Sequence, residues 1–199
     1  TSATASATPL ITIGNLNTNT TFSGVIENGA ATSLSLTKTG SGTLILSGNS
    51  TYTGATNISD GVINIQHANA LGNSSKTTVA SGDALQLQGG ITVGALPLTI
   101  KGVGVSTTGA LRNISGNNTW GGTITLVTSV ARINSNAGLL TLSASNTVNS
   151  STNIGLTFGG AANTLVSGSI SIGSGILSKD SSGTLTLSGA SNYTGATNI

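Results

Sequence analysis

The chain has 199 residues, which predicts one domain or at most two small ones. Only 5% of the residues are charged, the formal net charge is +2, and more than half of the chain is Gly, Ser, Thr or Asn. Disordered segments combine high net charge with few large aliphatic residues, but this chain is rich in Val, Ile and Leu, so its composition argues against disorder. Helices are disfavoured because Gly, Ser, Thr and Asn are middling to poor helix formers. The composition therefore predicts an all-β protein.

The charges and apolar runs also limit the partners. The six basic residues are scattered along the chain, which argues against nucleic acid and anionic membranes as partners. No apolar run approaches the ~18 residues of a membrane-spanning helix, so we expect no membrane insertion of this segment. The chain contains neither Cys nor Met, which excludes thiol chemistry and is consistent with an exported, mature or excised segment.

Residues 1–9 contain no large aliphatic side chain before Pro9, so we predict a flexible N-terminal segment followed by one domain over residues 10–199. From Leu10 onward, large aliphatic residues alternate with small polar ones, which is typical of strands with one buried face. The clearest runs are 34–36, 44–46, 63–65, 85–87, 124–126, 170–172 and 185–187. Turn signals such as Asp60-Gly61 separate the runs, which predicts short strands joined by tight corners.

The strongest internal repeat pairs residues 38–58 with residues 179–199, and 16 of the 21 aligned positions are identical. Near-identical segments need similar surroundings, which stacked coils provide directly. We therefore expect two pairs of inward leucines at equivalent positions, Leu44 and Leu46 in the first copy and Leu185 and Leu187 in the second.

A second repeat signal is that every aromatic residue is followed by glycine two positions later. The pairs are Phe22 and Gly24, Tyr52 and Gly54, Trp120 and Gly122, Phe158 and Gly160, and Tyr193 and Gly195. With Leu87 in a further slot, the mean interval between slots predicts a structural repeat of about 34 residues. Such a unit, with several short strands and no helix, fits the coils of a parallel β-solenoid. A two-sheet sandwich of hairpins is the alternative.

In a parallel solenoid, like residues lie above one another, so low charge avoids repulsion along each stack. Ser, Thr and Asn can instead form ladders at outward and corner positions. We expect each aromatic side chain to cap a corner, with its ring over the glycine backbone. An exposed platform on which glycans stack is the second interpretation of the same rings.

The first copy reads L-x-K-x-G-x-G-T-L-x-L-x-G-x-S-x-Y-x-G-x-T from Leu36 to Thr56. This motif resembles the autotransporter-associated β-strand repeat of bacterial passenger proteins, and the second copy departs from it at Asp180 and Ser181. The resemblance implies a right-handed parallel β-helix that is secreted or displayed on a bacterial surface, often as a stalk or scaffold in a much longer protein. The chain would then be an excised passenger segment or a relative exported by another route.

Acids and imidazole are too few and too scattered to predict catalysis. The acidic residues and the single histidine are Glu27, Asp60, Asp83, Asp180 and His67. When positions are counted from the nearest aromatic slot, no two of these acids fall at the same position of the repeat (the same phase). Sites that cleave polysaccharides need clustered carboxylates, so this spacing argues against them. One histidine without cysteine does not form a metal site of the usual kind. We therefore expect no enzymatic activity, no cofactor and no metal.

We predict a non-enzymatic structural β-solenoid segment of a secreted or surface-displayed bacterial protein, located outside the cell or on its surface. It would act as a stalk, a scaffold or a head-to-tail fibre subunit. The alternative is an adhesin module that binds glycans or a host surface through its solenoid face.

The two ends of the chain indicate one partner. Ile199 aligns with Ile58, so the second copy has no counterpart of residues 62–65. The same pattern of two aliphatic residues, a polar residue and isoleucine occurs near the start, where it includes Leu10, Ile11 and Ile13. An uncapped solenoid leaves rows of unpaired backbone groups, so we predict that copies of this chain associate head to tail. The alternative is that the next coil of a longer protein covers the end.

Overall fold

The structure is a computed structural model that describes residues 8–128 and 130–199. The predicted flexible segment 1–9 lies outside the described residues up to residue 7, and Thr8 and Pro9 are exposed. The first strand begins at Leu10, where the alternation of the sequence predicts it. None of the described residues belongs to a helix that is long and apolar enough to cross a membrane.

Within those residues the chain forms 22 short strands and one 3₁₀ turn at Val105–Thr107. In chain order, the first strands are β1 (Leu10–Ile13), β2 (Thr20–Phe22), β3 (Ser35–Lys38), β4 (Thr43–Leu46), β5 (Thr56–Ile58), β6 (Val62–Ile65), β7 (Thr77–Val79) and β8 (Ala84–Gln88). The next are β9 (Thr92–Val93), β10 (Leu98–Ile100), β11 (Leu111–Ser115), β12 (Asn118–Trp120), β13 (Ile124–Leu126), β14 (Ala131–Ser135) and β15 (Leu140–Leu142). The last are β16 (Asn146–Ser150), β17 (Leu156–Gly159), β18 (Thr164–Val166), β19 (Ser169–Ser171), β20 (Leu177–Lys179), β21 (Leu185–Leu187) and β22 (Thr197–Asn198).

The strands form three parallel sheets that run along the sides of one solenoid. The first sheet has the order β1-β3-β5-β7-β10-β13-β16-β19, and the second has the order β2-β4-β6-β8-β11-β14-β17-β20-β22. The third sheet, β9-β12-β15-β18-β21, begins only where the chain reaches β9. Successive strands lie in the first sheet, then the second and, from β9 onward, the third, and the solenoid has about nine turns. The predicted all-β, parallel β-solenoid is therefore confirmed.

The coil is shorter than the predicted unit. Strand pairing sets the offset between coils, and it places Ile63 opposite Leu44 and Leu111 opposite Leu85. The typical spacing is about 22 residues. The predicted repeat of about 34 residues, which was counted from the aromatic slots, is therefore wrong. The physical reason is that those slots lie on different sides of the solenoid.

The two copies of the sequence repeat also lie on different sides. Lys38 ends a strand of the first sheet, whereas Lys179 ends a strand of the second. In the second sheet, the successive partners of Leu44 reach Lys179 after six coils. Leu185 lies one side further along, in the third sheet. The copies are thus separated by six coils and about one third of another.

Inward aliphatic side chains of all three sheets fill one continuous core. Leu44 and Leu46 are 1% and 2% exposed, as predicted. Leu185 is only partly buried and Leu187 is 38% exposed, so the predicted equivalence of the leucine pairs is wrong. The physical reason is that the described strands cover β4 on both edges but cover β21 on one edge only.

Asparagine side chains join neighbouring coils at the corners, where the sequence predicts ladders of Ser, Thr and Asn, and the bonds run to backbone amides of the next coil rather than between like side chains. The side-chain oxygen of Asn17 accepts a hydrogen bond from the Ser41 amide at 3.0 Å, and that of Asn19 accepts one from the Thr43 amide at 2.8 Å. The same bond recurs from Leu139 to Asn117, from Ser174 to Asn153 and from Thr184 to Asn163. Each of these bonds joins one coil to the next.

Candidate functional site

The aromatic residues of the predicted repeat do not share one position of the coil. Phe22 and Phe158 lie in the second sheet and Trp120 lies in the third, whereas Tyr52 and Tyr193 lie in connections between strands. The rings of Tyr52, Trp120 and Phe158 are at most 1% exposed, and that of Phe22 is 40% exposed. The buried rings are parts of the core and offer no platform for a glycan.

A ring lies over its glycine at Phe22, where a Cβ added to Gly24 would stand 2.7 Å from the ring. The glycines of the other pairs pack against a backbone carbonyl of the preceding coil. An added Cβ would lie 2.3 Å from Leu34 O at Gly54, 1.7 Å from Leu96 O at Gly122, 1.9 Å from Ser135 O at Gly160 and 2.2 Å from Gly175 O at Gly195. Glycine is needed at these positions because the coils approach too closely for a side chain.

All three glycines that the motif shares between its two copies make this contact. The added Cβ would lie 2.2 Å from Thr18 O at Gly42 and 2.0 Å from Ala162 O at Gly183. At Gly48 and Gly189 the distances, to Gly24 O and Gly168 O, are 1.9 and 2.2 Å. Gly54 and Gly195 form the third pair. The motif therefore encodes close backbone contact with the coil below, on whichever side of the solenoid it lies.

The Lys38 side chain forms hydrogen bonds both within its own corner and to the coil above. The side chain is 1% exposed, which is rare for lysine. Its Nζ donates hydrogen bonds to the carbonyl oxygens of Thr39 at 2.8 Å, of Gly40, and of Asp60 in the next coil at 3.1 Å. Burial lowers the pKa of Lys38, and the negative charges of Asp60 and Asp83 oppose that shift. This buried ammonium was not predicted, although both copies of the repeat begin with lysine in a chain that has few charges.

Lys179 makes the same bonds within its own corner. Its Nζ donates to the carbonyl oxygens of Asp180 and of Ser181, the latter at 2.9 Å. These acceptors align with Thr39 and Gly40 in the first copy. Among the described residues, no carbonyl oxygen of a following coil accepts a hydrogen bond from Lys179, as that of Asp60 does from Lys38.

Tyr52 anchors a buried network of hydroxyl groups. Its Oη lies 2.7 Å from Thr56 Oγ1, which in turn donates to Ser74 Oγ of the next coil at 3.2 Å. Burial raises the pKa of Tyr52 to about 12. The second copy repeats the first of these bonds, with 2.8 Å between Tyr193 Oη and Thr197 Oγ1.

Two of the acids share one corner of consecutive coils. Asp60 precedes β6 and Asp83 precedes β8, both at the corner between the first and second sheets. The prediction that no two acids share a phase is therefore wrong, because the phase was counted on too long a unit. The Asp83 carboxylate accepts a hydrogen bond from the Gly61 amide at 2.8 Å. Burial raises the pKa of Asp83. The hydrogen bond from the Gly61 amide lowers this pKa, and the negative charge of Asp60 raises it further.

The remaining titratable groups are dispersed. Glu27 is exposed, and Nδ1 of His67 accepts a hydrogen bond from the Asn69 amide at 3.1 Å. Asp180 forms an ion pair with Arg132, with oxygen to nitrogen distances of 2.6 and 2.7 Å, and the hydrogen bond from Arg132 lowers the pKa of Asp180. No three of the described His, Asp and Glu side chains are close enough to hold a metal ion.

The residues predicted for end-to-end contact lie at opposite ends of the solenoid. Leu10, Ile11 and Ile13 belong to β1, and Ile199 is fully exposed after β22. A groove of about 620 Å³ opens beside Ile199. Its apolar lining comprises Leu177, Leu185, Leu187 and Ile199, and its polar lining includes Lys179 and Thr197.

A family model described as passenger-associated-transport-repeat matches residues 36–65 and 177–199. These segments contain the lysine corners and the glycine contacts described above. No match was found among curated proteins or among solved structures. The predicted resemblance is confirmed: the two matched segments, 53 of the 199 residues, are similar to the passenger-associated-transport-repeat, which agrees with the resemblance to autotransporter passenger repeats that the motif indicated.

Proposed function

We propose that this chain is a structural, non-enzymatic segment of a secreted or surface-displayed bacterial protein, in which it acts as a stalk or scaffold. One observation carries the proposal: the residues that the motif repeats serve contact between coils. Gly48 meets a carbonyl of the coil below, Lys38 binds a carbonyl of the coil above, and Thr56 binds Ser74 of the coil above.

The architecture supports a spacer. One core and three parallel sheets run along the solenoid, so each coil is held by the next through backbone hydrogen bonds. Each coil adds about 4.8 Å, which gives about nine turns a length of roughly 40 Å. Length then depends on the number of coils, which is the property that a stalk requires.

The observed placement of polar and aromatic groups favours a stalk over an adhesin or an enzyme. The adhesin alternative relied on exposed rings, and Tyr52, Trp120 and Phe158 are buried. The carboxylate of Asp83 is bonded to a backbone amide, and that of Asp180 is bonded to Arg132. These acids therefore serve structure in the arrangement described.

Duplication of one coil tests the proposal. Because Thr56 pairs with Thr77, residues 56–76 form one complete coil, and one additional copy of this segment can be inserted directly after it. We expect small-angle X-ray scattering to show a longest dimension increased by about 4.8 Å, with unchanged cross-section. An expanded, flexible particle or an unchanged length would contradict the proposal, and specific hits of the parent chain on a glycan array would favour the adhesin.

A further inference from the structure

We propose that the outward face of the second sheet binds a polysaccharide that carries carboxylate groups, such as a chain of uronic acids. The binding groups form a donor strip that consists of Gln86 and Gln88 on β8, Arg112 on β11, and Asn136 directly after β14. These strands are neighbours in the second sheet, so the strip crosses three consecutive coils in the middle of the solenoid. The inference goes beyond the proposed function, because it adds a binding face to the side of the stalk.

Long planar polar side chains are concentrated on this face. The chain contains three glutamines and two arginines. All of them lie in the second sheet or directly after one of its strands, at Gln66, Gln86, Gln88, Arg112 and Arg132. The central outward column of the first sheet instead carries the short side chains of Thr, Asn and Ser. The second sheet therefore presents a face with a chemistry of its own.

Two buried asparagines hold the strip in place. Asn64 and Asn134 lie in one outward column and are only 4% and 6% exposed. Asn64 Nδ2 donates hydrogen bonds to Gln86 Oε1 at 3.0 Å and to Gln88 Oε1 at 3.2 Å. Asn134 Nδ2 donates to Asn136 Oδ1 at 3.4 Å. The side chains of the strip are therefore oriented before a ligand arrives, which lowers the entropic cost of binding.

Arg112 fixes the orientation of the amide at one end of the strip. Its Nε donates to Asn136 Oδ1 at 2.7 Å, and its Nη1 donates to Thr108 Oγ1 at 3.3 Å. Because arginine only donates hydrogen bonds, the oxygen of the Asn136 amide faces Arg112 and the Nδ2 group faces away. Among the described residues, none accepts a hydrogen bond from Asn136 Nδ2 or from Arg112 Nη2.

The two glutamines of the strip have the same polarity. Gln88 Oε1 accepts a second hydrogen bond, from Gln66 Nε2 at 3.4 Å, and Gln86 Oε1 accepts the bond from Asn64. Neither Nε2 group finds an acceptor in the part of the chain that the structure describes. The internal bonds thus occupy the amide oxygens and leave the N–H groups free, so the strip suits a ligand that supplies acceptors.

The charge of Arg112 specifies which kind of acceptor fits best. Asp180 neutralises Arg132, whereas no carboxylate of residues 8–128 and 130–199 forms an ion pair with Arg112. A guanidinium group binds a carboxylate strongly, and the free Asn136 amide can donate to the same group. We therefore expect a carboxylate of the ligand at Arg112 and Asn136, and hydroxyl or ring oxygens at Gln86 and Gln88.

The surroundings of the strip favour a polysaccharide over a protein or a nucleic acid. Protein interfaces have an apolar core with aromatic residues, but the outward side chains of β8, β11 and β14 are polar except for Ile114, which is only partly exposed. Nucleic acids are held by many basic contacts to phosphates, and only Arg112 is unpaired here. The strip runs about 10 Å along the solenoid, which suits an extended chain of sugars.

Oligogalacturonate is the probe for this face, since every sugar of this linear chain carries a carboxylate. Its methyl ester is the matched control ligand, because it has the same sugars with the carboxylates masked. Titration of the ¹⁵N-labelled parent chain is followed by nuclear magnetic resonance. We expect the acid to shift the side-chain amide signals of Gln88 and Asn136 and to leave the amides of the first-sheet column unchanged. The ester should bind much more weakly.

Two variants change the strip without removing a core side chain. Arg112→Ala removes its charge. Asn136→Asp retains an oxygen for Arg112 but removes the free N–H donor and adds a negative charge. Lys76→Ala is the matched control, because it removes one charge at an exposed side chain next to the first sheet. We expect each strip variant to bind about tenfold or more weakly, and Lys76→Ala to bind like the parent chain. Circular dichroism confirms that each variant is folded.

Three results would overturn the inference: no shift of the strip signals at millimolar oligogalacturonate, equal binding of the methyl ester, or equal losses in Arg112→Ala and Lys76→Ala. Equal binding of polyglutamate would also overturn it, because the ligand would then be an acidic protein segment and not a polysaccharide. Binding that requires Arg112 is distinct from binding by exposed rings, on which the adhesin alternative relied. A chain that lengthens in the duplication experiment but does not bind the probe would refute this face and leave the proposed stalk function intact.

Discussion

Arg132 and Asp180 form an ion pair that joins coils two apart and passes over Gly159 in the coil between them. The two hydrogen bonds measure 2.6 and 2.7 Å. A Cβ added to Gly159 would lie 2.0 Å from an Arg132 nitrogen and 2.5 Å from an Asp180 oxygen. The glycine therefore makes room for a clamp that spans three coils.

This arrangement predicts that Gly159→Ala disrupts the ion pair. Asp180→Asn should lower the free energy of unfolding by about 0.2–1 kcal/mol, the range of exposed ion pairs, because the Asp180 side chain is 49% exposed. In the Gly159→Ala background, the same substitution should have almost no further effect. Urea unfolding of the two single variants and the double variant measures this coupling, and additive losses would contradict the clamp.

The close contact of coils predicts different costs for two glycines. Gly48→Ala should destabilise the chain strongly, because the new Cβ would lie 1.9 Å from the Gly24 carbonyl oxygen and backbone would have to move. Gly94→Ala is the matched control, since no heavy atom lies within 4 Å of its added Cβ. Thermal unfolding should show a clear loss for Gly48→Ala and little change for Gly94→Ala. Equal losses would show that the glycine contact is not the cause.

The difference in burial predicts different costs for the aligned leucines. Leu44→Ala should lower the free energy of unfolding by about 2–5 kcal/mol, as expected for a fully buried leucine. Leu185→Ala should cost clearly less, because that side chain is only partly buried. Chemical denaturation of both variants at a concentration where the chain is monomeric is the measurement. Equal losses would contradict the placement of the second copy at an uncovered edge.

The buried hydroxyl of Tyr52 predicts a loss of stability at alkaline pH. Its pKa is raised from 10.0 to about 12, so the folded state retains the proton while the unfolded state loses it between these values. Stability should therefore fall as pH rises through this window, by about 3 kcal/mol in total. Tyr52→Phe should remove this fall and Tyr193→Phe should leave it. Denaturation at several pH values checks this, and an unchanged fall in Tyr52→Phe would exclude Tyr52 as its source.

Local patterns in the sequence predicted the class of fold and many strands. The alternation at Leu44 and Leu46 is confirmed because a strand places every second side chain inward, whatever the rest of the chain does. The asparagine bridges at the corners also follow from local chemistry. These features depend on neighbours in sequence or on the fact of stacking alone.

The phase of the coils was not predictable from the same patterns. Two copies of a motif six and one third coils apart look equivalent in sequence, although they lie on different sheets. The motif fits both because its glycines and its lysine bind backbone, which is the same on every side. The ion pair of Arg132 and Asp180 was missed for the same reason, since it depends on which coils are neighbours.

The most direct test of this account is the rise of the solenoid along one outward column of the first sheet. Strand pairing stacks Thr37, Asn57, Thr78, Thr99, Thr125, Asn149 and Ser171 in consecutive coils. The chain has no cysteine, so spin labels can be attached at pairs of introduced cysteines. Electron resonance distances from Thr37 should be about 19 Å to Thr125 and about 29 Å to Ser171, from a rise of about 4.8 Å per coil. Distances that do not increase along the column would contradict a solenoid of 22-residue coils.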